Sequence, residues 1–220
     1  PTTTSSSTTT TTTTQPNTVS SAASGGRPFG ASSPWNTPTP VSTSWFDTPV
    51  LHRLNDGSFR HWWVATDTIG IHYSKPGDPI WTFNMLDHVA PYWNRNRPAQ
   101  TFQVRAPANL TPATDSDQML IVVDGTRYYE VWGAVVDPIN RTVTSRPDMP
   151  GWATGDIVNG PGAGTMSNND GVRAANFSVA GGMITGHDLA TGVIDHALVV
   201  ALTSETLKAG PEKDFVWPAT

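Results

Sequence analysis

Apolar and polar residues alternate with a period of two in several short runs of this chain, the spacing of strands with one buried face. "TFQVRAP" (101–107) places Thr101, Gln103 and Arg105 on one face and Phe102, Val104 and Ala106 on the other. Turn signals interrupt these runs at short intervals: "NDG" (55–57), "KPGDP" (75–79), "DG" (124–125), "DP" (137–138), "RPDMPG" (146–151) and "NNDG" (168–171). The pattern predicts strands at 59–66, 69–74, 79–85, 101–106, 118–123, 127–136 and 193–203. Helix is expected only in "VRAANFSV" (172–179) and as a single turn in "HDLATG" (187–192). Many short strands between regular turns predict an all-β fold, a jelly-roll or concanavalin-like β-sandwich.

The best-specified element is a hairpin, "QMLIVV-DG-TRYYEVW", with Asp-Gly between two strand-like runs. A two-residue loop at Asp124-Gly125 would set Val123 opposite Thr126, Ile121 opposite Tyr128, Met119 opposite Glu130 and Asp117 opposite Trp132. One face then carries Asp117, Met119, Ile121, Tyr128, Glu130 and Trp132. The other carries Leu120, Val122, Tyr129, Val131 and Gly133, an apolar set suited to the core. Glu130 is thereby expected to point away from the core between two aromatics. A longer loop would change the pairing.

Composition divides the chain. Residues 2–14 are unbroken Ser/Thr, and 15–30 continue with Ser, Ala, Gly and Pro. Such a segment buries almost nothing, so residues 1–32 are expected as a disordered or O-glycosylated tail and 33–220 as one sandwich domain. The chain begins at Pro1 without Met or signal peptide, which points to a processed product or a piece of a larger protein. A net charge of −5 without a basic run argues against nucleic acid as a partner. No apolar stretch approaches the roughly 18 residues of a membrane span. The absence of cysteine removes disulfides and thiol chemistry. Asn109, Asn140 and Asn176 head N-glycosylation triplets, a pattern that also recurs by chance.

Glu130 is one of three glutamates, with Glu205 and Glu212. On the expected register Asp117 is its diagonal neighbour, with Cβ atoms roughly 7 Å apart. Carboxyl pairs about 5–5.5 Å apart serve retaining glycosidases, and pairs roughly 6.5–9.5 Å apart serve inverting ones. Tyr128 and Trp132 offer flat faces to sugar rings, and so does Trp35 among the nine tryptophans. Core filling explains such aromatics equally well. Gln103 and Arg105, with His196 as base, would instead suit a lyase acting on uronates. The same His196 lies in "VIDHALVVAL" beside Ile194, Leu198, Val200 and Leu202, where a histidine is more often a satisfied core residue. His187-Asp188, Asp195-His196 and Asp87-His88 supply metal-ligand chemistry, but their spacing matches no metal motif. No metal or cofactor is expected.

The stretch "PTTTSSSTTTTTTTQP" resembles the linkers of secreted polysaccharide-degrading enzymes. "SPWNT" (33–37), "SDQMLIVVDGTRYYEVWGA" (116–134), "AANFSVAGGMITGHDLATGVIDHALVVAL" (174–202) and "VWPA" (216–219) together resemble a family of uncharacterised exported bacterial proteins with an NPWN, YELW, GxIxHAL and VWPA pattern. The resemblance places Trp35, Asn36, Asp117, Glu130 and His196 at signature positions. It departs at Thr185, where the family carries Arg, and it implies no reaction. The sequence thus leads to a secreted carbohydrate-active enzyme cleaving a polysaccharide, foremost a glycoside hydrolase using Glu130 and Asp117. A polysaccharide lyase is the alternative. A non-catalytic glycan-binding or structural surface protein, assembled through its tail, is the other. The oligomeric state is left open.

Overall fold

The computed structural model describes residues 27–38, 69–90, 95–115, 117–162, 171–172 and 177–199. The strand expected at 59–66 lies outside them. The strands described are β1 (Ile71–Tyr73), β2 (Ile80–Met85), β3 (His88–Ala90), β4 (Arg95–Arg97), β5 (Gln100–Arg105), β6 (Leu120–Asp124), β7 (Arg127–Val131), β8 (Ala134–Asp137), β9 (Thr142–Ser145) and β10 (Trp152–Asp156). A 3₁₀ turn, Val179–Gly182, and one short helix, α1 (Gly186–Thr191), follow. The fold is all-β. Its first sheet runs β1-β6-β7-β10 and its second β5-β2-β9-β8, with β3 and β4 paired separately.

The two sheets pack face to face. Trp81, Phe83 and Met85 of β2 meet Leu120 and Val122 of β6 and Tyr129 and Val131 of β7 in one core. Phe83 and Phe102 each meet Tyr129 edge-on, at 5.8 and 5.4 Å between ring centres. Burying each such side chain contributes about 1.5–3 kcal/mol. This is the face the hairpin's alternation assigned to the core. The sheets are mixed, because β1 pairs β6 and β2 pairs β9 in parallel. That pairing departs from the all-antiparallel ladder of the expected jelly roll.

The continuous strand expected at 127–136 is broken. Gly133 has φ +64°, and a Cβ there would lie 2.6 Å from Met149 Cβ. Only glycine takes this bend without strain. β7 therefore stays in the first sheet while β8 crosses into the second. The hairpin loop also differs from expectation. Asp124 pairs with Arg127, so the loop is Gly125-Thr126, and Ile121 rather than Met119 stands opposite Glu130. Relative to the expected register the pairing slides by two residues, which preserves every face and changes every neighbour.

The second face of the first sheet is covered as well. A strap (residues 28–37) and a cap (residues 157–162, 171–172 and 177–183) lie over β6 and β7. Together they bury Phe29, Trp35, Ile157, Val179 and Ala180 against Met119, Ile121, Val123 and Tyr128. Folded structure thus begins before residue 33, since Phe29 of the expected tail is 4% exposed. Asn36 closes the strap on itself: its Nδ2 donates to the carbonyls of Pro28, Gly30 and Phe29 at 2.8, 3.1 and 3.3 Å. Trp35 Nε1 donates to Gly162 O at 3.0 Å, and Ala197 N donates to Trp35 O at 2.9 Å. The expected strand at 193–203 is irregular over its described part, and Val193, Ile194 and Leu198 are exposed. Among the described residues no helix is long and apolar enough to cross a membrane.

Candidate functional site

Three places carry polar chemistry. The first is Glu130, next to the last residue of β7 and fully buried. Its Oε1 accepts from Ser178 Oγ at 2.5 Å and from Ala180 N at 3.4 Å, and its Oε2 accepts from Val172 N at 3.4 Å. Burial raises this carboxyl from an ordinary 4.5 to about 7, against the opposing pull of Ser178 and the backbone donors. The expected exposed acid between two aromatics is therefore corrected. The face is the expected one, but strap and cap cover it.

The second place is a small cleft lined by Arg27, Pro28, Thr185, His187, Asp188, Asp195 and His196. Asp188 is N3 of α1, and Thr185 is its N-cap in a reciprocal capping box. Asp188 Oδ2 accepts from Thr185 N at 2.7 Å, pairs with Thr185 Oγ1 at 2.7 Å and meets His196 Nε2 at 3.1 Å. Burial pushes the Asp188 carboxyl up, but these hydrogen bonds outweigh it and hold it down at about 2. The other ring nitrogen of His196 faces Ala197 O at 2.9 Å. Both nitrogens are engaged and the side chain is 2% exposed. A general base needs a free nitrogen facing substrate, so this geometry gives His196 a tying role between α1 and the segment after it.

The third place is the outer face of the second sheet. Strand register aligns two rows across all four strands. Gln103, Thr82, Thr142 and Asp137 form one, and Thr101, Asn84, Thr144 and Val135 form the next. All eight are exposed or half-buried. Gln103 Nε2 donates to Thr82 Oγ1 at 3.2 Å and Thr101 Oγ1 to Asn84 Oδ1 at 3.1 Å. Arg105 borders the rows, its Nη1 on Asp78 O at 2.7 Å. The face is rich in hydroxyls and amides, and Asp137 is the one charged side chain in its two rows.

Comparisons with protein-family models, with curated proteins and with solved structures found no match.

The remaining expected site residues fall as follows. Asp117 lies before β6, next to the turn at Gln118 (φ 45°), where its backbone oxygen accepts from Gly133 N at 2.8 Å, and the same-face neighbours of Glu130 across the hairpin begin only at Met119. The carboxylates therefore do not form the expected diagonal pair. Tyr128 is 1% exposed and meets Phe29 edge-on at 5.6 Å, so it packs and presents no open platform. Trp132 is half-buried against this layer, and Trp35 is 8% exposed in the strap. Gln103 and Arg105 lie on the outside of the second sheet, whereas His196 lies beyond the first sheet, so the lyase set is not brought together. Asp87-His88 does not line the cleft of His187 and His196, and no group of three metal-ligating side chains forms among the described residues. Asn109 and Asn140 are exposed in turns, while Asn176 lies outside the described residues. Asn140 Nδ2 donates to Asp137 Oδ2 at 2.7 Å.

Sequence reasoning missed the polar rows as a unit. The signal was present, since Thr, Asn and Gln recur at alternate positions in 82–84, 101–103 and 142–144. What joins them is the parallel β2–β9 pairing, which local patterns do not encode.

Proposed function

We propose that this chain is a non-catalytic, glycan-binding module of a secreted protein, and that the open face of its second sheet is the binding surface. The two aligned rows of hydroxyl and amide side chains carry this reading. Such groups both donate and accept, as sugar hydroxyls do, and rows with a single charged side chain suit a neutral polysaccharide. Cross-strand hydrogen bonds fix Gln103 and Asn84 before any ligand arrives, which lowers the entropy lost on binding. The hydrolase reading is less well supported, because Glu130 is sealed and Asp117 stands apart from it. The Ser/Thr-rich tail and its resemblance to the linkers of secreted enzymes support a module joined to something else.

The test is retention on insoluble cellulose, chitin and xylan, with affinity electrophoresis on soluble uronate polymers. Gln103→Ala with Thr142→Ala should weaken retention about tenfold or more, as expected for two lost hydrogen bonds of about 1 kcal/mol each. The melting temperature should stay unchanged, and no reducing ends should appear. Wild-type protein that binds none of these polymers would overturn the reading. Reducing ends that vanish in Glu130→Gln would replace it with the hydrolase.

A further inference from the structure

Glu130 stands in an apolar layer, and its described hydrogen-bond donors all come from the cap that covers it. One short bond, two at the limit of hydrogen-bonding distance and an approach from the Val179 backbone replace only part of the water an ionised carboxylate would hold. A neutral carboxyl needs less. Among the described residues of this layer, the other titratable side chains are Tyr128, on the same face of β7, and Tyr73, at the margin on β1. β6 and β10 end on Asp124 and Asp156, which are held away from Glu130 by Ser74 and Arg105 and by Val158 and Asn159; the described residues of strap and cap add none.

The two sides of the layer differ in what holds them. β7 is paired along its length by β6 and β10. The 3₁₀ turn is anchored by single bonds such as Ser178 N to Gly162 O at 2.8 Å and Val199 N to Gly182 O at 2.9 Å. It also fits closely: a Cβ on Gly181 or Gly182 would lie 2.5 or 2.7 Å from Trp35. If the carboxylate draws water in, the turn is the side that gives way.

We propose that Glu130 is a proton-controlled latch on the cap: with its proton on, the carboxyl holds residues 178–182 against β7, and with its proton off that segment opens to admit water. The latch is independent of what the open face binds. In the opened form the carboxyl meets water and titrates near its ordinary 4.5, whereas in the closed form it titrates at about 7. Closure thus binds the proton more tightly, and opening releases it. Opening is least below about pH 4.5, rises about tenfold per pH step between the two values, and levels off above about 7. The interval amounts to about 300-fold in the opening equilibrium.

The test is native-state hydrogen exchange from pH 4.5 to 8.5, expressed as protection factors for Val179–Gly182, with β7 amides as internal reference. Selective ¹³C labelling of the side-chain carboxyls gives only three glutamate signals to assign, so the titration of Glu130 is read in the same sample. Protection of the turn should fall about 150-fold across the range while β7 changes far less. Glu130→Gln should abolish the dependence. Ser178→Ala keeps the acid but removes its short hydrogen bond, and should move the midpoint to higher pH. This second variant carries the test if Glu130→Gln does not fold. Flat protection in wild type, an unchanged profile in Glu130→Gln or an unmoved midpoint in Ser178→Ala would each overturn the latch.

Discussion

The first sheet is buried on both faces, and the two interfaces are made differently. Towards the second sheet it presents Leu120, Val122, Tyr129 and Val131 to side chains from other strands, each placed by period-two alternation. Towards strap and cap it presents Met119, Ile121, Tyr128 and Glu130 to irregular chain, held by specific hydrogen bonds of Asn36, Trp35, Ser178 and Glu130. The first interface is area, and its loss scales with volume removed. The second is polar keying, and its loss depends on whether a donor or a charge is left without a partner.

The largest effect is expected where area dominates. Phe83 is fully buried and meets Tyr129 edge-on. Phe83→Ala should cost about 3–5 kcal/mol in denaturant unfolding. A cost below about 1.5 kcal/mol would mean that the sheet-to-sheet core is not the dominant source of stability, and the contrast would fail.

Asn36 probes the keyed side. Asn36→Ala removes one donor from three carbonyls and should cost about 1–3 kcal/mol. Asn36→Asp keeps the shape but aims a carboxylate at the same oxygens, so it should cost more than alanine despite removing no volume. Urea midpoints of the two variants decide the matter. If aspartate proves milder than alanine, packing rather than hydrogen bonding secures the strap.

This contrast also explains what the sequence made legible. β2, β5 and both faces of the hairpin follow from alternation, which a register slide of two residues cannot disturb. Alternation says which way Glu130 points but not what lies above it. Its cover comes from residues 28–37, 171–172 and 177–183, which lack strand periodicity. The break at Gly133 was hidden because 127–136 reads as one β-rich run, and only the close approach of Met149 demands glycine there. The apolar run after Gly192 misled for the opposite reason. Val193, Ile194 and Leu198 carry strand-forming composition but pair with no described strand, and His196 is satisfied by Asp188. The paired carboxylates failed on a neighbour relation, the property that the register slide alters.

The smallest expected effect sharpens the comparison most finely. Thr185 caps α1, donates its backbone N–H to Asp188 and accepts from Asp188 N at 3.2 Å. Thr185→Ala should cost about 1 kcal/mol, and Thr185→Ser, which keeps the hydroxyl, close to nothing. The loss should be local: amides of α1 should exchange faster while those of β2 and β9 stay unchanged. Acid gives a second handle, with a sign opposite to that of Glu130. The Asp188 carboxyl lies below its ordinary value, so its contribution is present above about pH 3.8 and is lost as pH falls towards about 2. Glu130 lies above its ordinary value, so acid strengthens its contribution. Between pH 7 and 5 the turn at 179–182 should therefore tighten while α1 stays unchanged, and below pH 4 α1 alone should loosen. Exchange that moves both segments together would show one cooperative unit, and the separate keying of turn and helix would have to be abandoned.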